Sequence, residues 1–141
     1  MSRVVKLDGP GKTRNQHMRT AAEVIRLLGQ KTALDDEARD MAALLVFCFQ
    51  QINNGIDDSA LAWEKRDYWV KADKFRMEWM WAGQLATKMK DAVLSDDWAT
   101  IAMLMPQIAQ KFNKTEVSDN HRLGVPWTGA YTLLALHRKL T

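Results

Sequence analysis

Apolar residues recur every three to four positions in five segments of this chain, which is the spacing of helices that bury one face. The segments cover about residues 15–28, 35–53, 59–93, 96–112 and 127–140, and only the short run 4–7 reads as extended. The pattern predicts an all-α fold, a helical bundle of about five helices around one long central helix at about 59–93.

The third predicted helix carries apolar residues on two opposite faces. It would be about 35 residues or ~50 Å long at ~1.5 Å per residue, and it contains no proline. One apolar face is enough to dock a helix on its own domain, so the second face needs another partner. The second face predicts an interface with a second copy or another protein, formed by Trp63, Val70, Met77 and Trp81.

Three acidic doublets mark predicted helix starts, because carboxylates there accept backbone N–H bonds and complement the helix dipole. They are 35–36, 57–58 and 96–97. Asn53-Asn54-Gly55 predicts the end of the second helix, and Gly29 the end of the first. Pro106 is expected to kink or divide the fourth helix.

Positive charge is concentrated at the start of the chain. The net charge is +3, but residues 1–31 hold seven cationic and two acidic side chains. We expect a flexible basic arm at 1–14 and a single helical-bundle domain at 15–141. A basic arm beside lysines and aromatic residues of the third helix favours an alternative function in nucleic-acid binding. Its predicted phosphate contacts are Arg3, Lys6, Lys12, Arg14, Arg19, Lys65, Arg66 and Arg76.

Two pairs of carboxylates suggest an enzyme, but the expected arrangement of the helices argues against this interpretation. Glu37 with Asp40 and Glu64 with Asp67 have the i, i+3 spacing with which all-α nucleotide pyrophosphohydrolases hold magnesium. Consecutive antiparallel helices would place the two pairs at opposite ends, roughly 25 Å apart at ~1.5 Å per residue. We therefore predict no catalytic or metal-binding residues and no cofactor.

One polar loop, 118–127, remains a candidate small-ligand site. It mixes titratable and aromatic side chains, of which His121, Arg122 and Trp127 are the candidate contacts. The single Cys48 lies in an apolar run and is expected to be a buried free thiol.

The remaining features favour a cytoplasmic protein without membrane contact, because no apolar leader or membrane-length segment occurs. The leading functional hypothesis is a non-enzymatic interaction or assembly protein that self-associates, as a homodimer, through the third helix. Nucleic-acid binding is the alternative.

Overall fold

Five α-helices form the described part of the chain, in agreement with the predicted all-α bundle. The computed structural model describes residues 10–113, 115 and 125–140, and none of them forms a strand. The helices are α1 (Pro10–Leu28), α2 (Asp36–Glu64), α3 (Trp69–Leu94), α4 (Trp98–Lys111) and α5 (Ala130–Leu140). Residues 10–14 of the expected arm belong to α1, and residues 1–9 lie outside the described residues.

The predicted helix at 59–93 is divided, which corrects its bounds. The chain leaves α2 at Glu64 and re-enters a helix at Trp69. The turn is held by the Tyr68 N–H donating to the Trp63 carbonyl and the Asp67 N–H donating to the Glu64 carbonyl, both at 3.0 Å. This bonding pattern needs a left-handed residue. Asp67 takes that conformation, with φ 64°.

Helix α2 continues through the segment that was predicted to end it. Ile52, Ile56 and Ala60 are buried at four-residue spacing on both sides of Gly55. Their burial outweighs a penalty of about 1 kcal/mol for glycine inside a helix. The central helix of the bundle is therefore α2, with 29 residues, and α3 has 26.

Two of the three acidic doublets cap helices as predicted. Asp35 accepts the Ala38 N–H at 2.7 Å at the start of α2. Asp97 accepts the Thr100 N–H at 3.1 Å at the start of α4. The prediction for Asp57 and Asp58 is wrong, because both are exposed residues within α2.

The last two helices differ in detail from their predicted forms. Pro106 lies inside α4 without dividing it, and its ring is exposed. Helix α5 begins at Ala130, after Gly129 with φ 82°. The Asp40 carboxylate of α2 accepts the Tyr131 N–H at 2.9 Å and the Gly129 N–H at 3.2 Å. This bond pair attaches the start of α5 to α2.

The helices cover α2 unevenly. Helices α1 and α3 both run antiparallel to α2, α4 folds back along the second half of α3, and α5 lies along the first half of α2. The fully buried core residues therefore concentrate where all five helices meet, among them Leu45, Phe49, Ile52, Met89 and Ile101. At the opposite end, among the described residues, only α1 packs on the α2–α3 hairpin.

Leu45→Ala is expected to lower the free energy of unfolding by about 2–5 kcal/mol, because it removes a side chain that is 0 % exposed. Leu133→Ala, at a leucine that is 47 % exposed, should change it by less than about 0.5 kcal/mol. Urea unfolding followed by circular dichroism measures both. Similar losses in the two variants would contradict this description of the core.

Two helical glycines should respond differently to alanine. A Cβ at Gly55 meets no atom within 4 Å, whereas at Gly83 it would lie 2.9 Å from Oδ1 of Asn53. Gly55→Ala is expected to stabilise the protein by about 1 kcal/mol through helix propensity. Gly83→Ala should gain less, because Asn53 must move. Thermal unfolding compares them, and a larger gain for Gly83→Ala would exclude a close approach of α2 and α3 there.

Candidate interaction surface on helix α3

The first half of α3 presents an uncovered apolar face, which we call the α3 strip. It consists of Trp69, Val70, Met77 and Met80, whose side chains are 56 %, 69 %, 70 % and 52 % exposed. At about 100° per residue these four positions span about 100° of the helix circumference. Helix α4 ends beside Trp81, where the centres of the Phe112 and Trp81 rings lie 5.7 Å apart. On the same face, the second half of α3 carries exposed polar residues, so the apolar strip ends near Met80. These polar residues are Gln84, Thr87, Lys88 and Asp91.

The predicted interface residues are only partly brought together. Val70 and Met77 belong to the α3 strip, whereas Trp63 lies on α2 and packs edge-on against Phe75 at 4.8 Å. Trp81 is half-buried, with ring contacts to Phe49 at 6.2 Å and to Phe112.

Sequence reasoning missed Met80 and did not place Trp69 on this face. The signal that identifies them is their spacing of eleven residues, or about three turns. Because residues eleven apart share a face of any helix that contains both, this signal is also present in the predicted helix at 59–93.

A groove of about 670 Å³ lies at the tip of the hairpin, next to the α3 strip. The Lys71 ammonium lies 4.8 Å from the centre of the Trp63 ring, a cation–π distance. Aromatic, cationic and acidic side chains line the groove together: Trp63, Asp67, Tyr68, Trp69, Val70, Lys71, Lys74, Phe75 and Glu78.

Two of the predicted phosphate-binding arginines are engaged within the chain. Arg76 donates to both oxygens of Glu64, at 2.6 and 3.2 Å, and lies 3.9 Å from Asp57 and 4.0 Å from Asp73. The hydrogen bond from Arg76 lowers the pKa of the Glu64 carboxyl. Arg76 therefore ties α3 to the end of α2.

Arg14 likewise ties α1 to α2 and α3. Its guanidinium lies 5.0 Å from the Phe75 ring centre and 5.3 Å from that of Trp79, and it donates to Oγ of Ser59 at 3.5 Å. Of the other predicted cationic contacts, Arg3 and Lys6 lie outside the described residues. Lys12, Arg19, Lys65 and Arg66 are exposed.

The charge of the hairpin is nearly balanced. Residues 57–78 contain six carboxylates and five cationic side chains. Such a surface has no net positive field to attract a phosphate backbone.

The paired carboxylates lie far apart and have other partners. Residues 37 and 40 are in the first turns of α2, and residues 64 and 67 are at its far end, ~40 Å away at ~1.5 Å per residue. Glu37 accepts from Lys31 at 2.6 Å, and Asp40 caps α5. Within the described residues, no group of three or more His, Cys, Asp or Glu side chains is placed to hold a metal ion.

The other candidate ligand contacts divide between buried and undescribed positions. Trp127 is buried in the turn before α5, while His121 and Arg122 lie outside the described residues. Cys48 is buried, as predicted, and burial raises the pKa of its thiol to about 12.

Comparison with known proteins gives no relative from which to transfer a function. No protein-family model, curated protein or solved structure matches this chain. In the described part of the chain, no helix has the length and apolar character needed to cross a membrane.

Glu64→Gln tests the pair that closes the hairpin. Because the folded-state pKa of Glu64 lies below its ordinary value of 4.5, the pair stabilises the fold above that pH and loses this effect as the pH falls through the lowered pKa. The variant should unfold at a lower urea concentration than the wild type at pH 7, and the difference between the two urea midpoints should decrease toward acid pH. A difference in urea midpoint that stays constant with pH would show that the ion pair is not its cause.

Proposed function

We propose that this protein is a non-enzymatic assembly protein that self-associates through the α3 strip. The observation that carries this proposal is the exposure of Trp69, Val70, Met77 and Met80 on one face of a regular helix. Contiguous exposed apolar side chains of this size are typical of interaction surfaces. A second copy would bury them without needing any other component.

The composition and setting of the α3 strip support an interface. Tryptophan and methionine are enriched at the cores of protein interfaces. The strip is also built on a helix that is anchored at both ends, by Arg76 with Glu64 near its start and by buried Met89 and Val93 near its end. A preorganised surface loses little conformational entropy when it binds.

Nucleic-acid binding is less well supported by the same residues. Tyr68, Trp69, Lys71 and Lys74 are suited to base stacking and phosphate contact. Asp67 and Glu78 line the same groove, however, and would repel phosphates.

Met77→Glu is expected to weaken self-association roughly tenfold or more, because a dimer would have to desolvate an unpaired carboxylate. Methionine and glutamate have similar helix propensities, and the residue is 70 % exposed, so the fold should be kept. Met103→Glu on α4 is the matched control, since Met103 is 65 % exposed and outside the strip. Sedimentation velocity over a concentration series measures all three proteins.

Three results would contradict self-association through this surface. The first is a wild-type monomer at micromolar concentration, and the second is an equal loss of association in both variants. The third is a monomer that retards nucleic acid at low salt, with binding that weakens as salt is added, which would instead favour the nucleic-acid alternative.

A further inference from the structure

The groove at the tip of the hairpin lies where helix α1 begins. Arg14 of α1 lies 5.0 Å from the ring centre of Phe75, a lining residue, and donates to Oγ of Ser59 at 3.5 Å. Because α1 runs antiparallel to α2, going back four residues along α1 to Pro10 corresponds to going forward four residues along α2 to Trp63. Trp63 also lines the groove. The chain that precedes α1 is therefore attached at the edge of the groove.

We infer that residues 1–9 of the same chain occupy this groove, with the apolar run at 4–7 packed against its aromatic side chains. The run contains Val4, Val5 and Leu7. The inference goes beyond the proposed self-association and does not rest on it. It rests on the place where the segment is attached, on its length and on its apolar side chains.

The length of the run fits the groove. The lining residues of α3 extend from Trp69 to Glu78, or ~14 Å at ~1.5 Å per residue. An extended run of four residues spans ~10 Å between its first and last Cα atoms, at ~3.3 Å per residue. Gly9 stands directly before Pro10, a position that disfavours a helix. The segment is therefore not a continuation of α1, and it is free to turn onto the groove.

Apolar contact selects the occupant of this groove. Its lining holds two carboxylates and two ammonium groups, so it attracts neither sign of charge strongly. These groups belong to Asp67, Glu78, Lys71 and Lys74. Between them, Tyr68, Trp69 and Val70 are each more than half exposed. Two valines and a leucine would remove this apolar surface from water, which is favourable.

Attachment to the same chain favours residues 1–9 over a second copy in this groove. A short linker gives an effective concentration of about millimolar, above that of separate protein molecules at micromolar concentration. The undescribed segment 116–124 is attached elsewhere at both ends. Phe112 lies beside Trp81, and Val125 lines a cavity with Met41 near the start of α2.

Val5→Asp tests the inference through the indole N–H signals of the tryptophans in NMR spectra, which phenylalanine variants assign. A carboxylate in the run would disfavour burial, so the signals of Trp63 and Trp69 in the groove should move. The signal of Trp98, at the start of α4 and the far end of the hairpin, should not. Ser2→Asp is the matched control, because it adds the same charge to the same segment without removing an apolar side chain.

Three results would overturn the docking of residues 1–9. The first is unmoved Trp63 and Trp69 signals in Val5→Asp, and the second is an equal effect of Ser2→Asp or an equal shift of Trp98. The third is movement of the groove signals when the wild type is diluted but not in Val5→Asp, which would place a second copy in the groove. Met77 and Met80 of the α3 strip do not line the groove, so sedimentation of the wild type decides the proposed self-association separately.

Discussion

The length of the α2–α3 hairpin, relative to the shorter helices that pack on it, determines which apolar residues are covered. Helices α2 and α3 have 29 and 26 residues, whereas α4 has 14 and α5 has 11. At ~1.5 Å per residue the hairpin is about 40 Å long, and α4 reaches along only about half of α3. In the first half of α3 only Ala72 is buried, whereas the second half, which α4 also contacts, buries Leu85, Met89 and Val93 among others.

The position of the hairpin turn shows how far the sequence predicts this fold. The class, the number of helices and the caps Asp35 and Asp97 follow from local patterns. The turn does not, because its most visible local signal, Gly55, is outweighed by the burial of Ile56 and Ala60. The actual turn uses Asp67 in a left-handed conformation that costs a non-glycine residue about 1–2 kcal/mol. Its hydrogen bonds and the closure of the hairpin offset that cost, and neither is visible in a short window of sequence.

The candidate surface was predictable to the extent that it depends on one helix. Val70 and Met77 share a face at any helix boundary, because they are seven residues apart. The roles of Arg14 and Arg76 depend on other helices, since Arg14 lies against Phe75 and Trp79 of α3 and Arg76 binds Glu64 of α2. Pairings of this kind come from the packing of α1 and α3 on α2. Arginines that look available in the sequence are consequently used to hold the tip of the bundle together.

Because Arg14 and Arg76 are bound within the chain, they contribute little to recognition at the tip of the α2–α3 hairpin. With six carboxylates against five cations in residues 57–78, the surface offers apolar area without a strong field, so binding depends on burial and shape. Asp73 lies in the middle of that area with its side chain 74 % exposed, and the Arg76 guanidinium of the same chain lies 4.0 Å from its carboxylate. Because Arg76 already lies against Glu64, Asp57 and Asp73 of its own chain, an occupant of this area would be held by apolar contact rather than by charge.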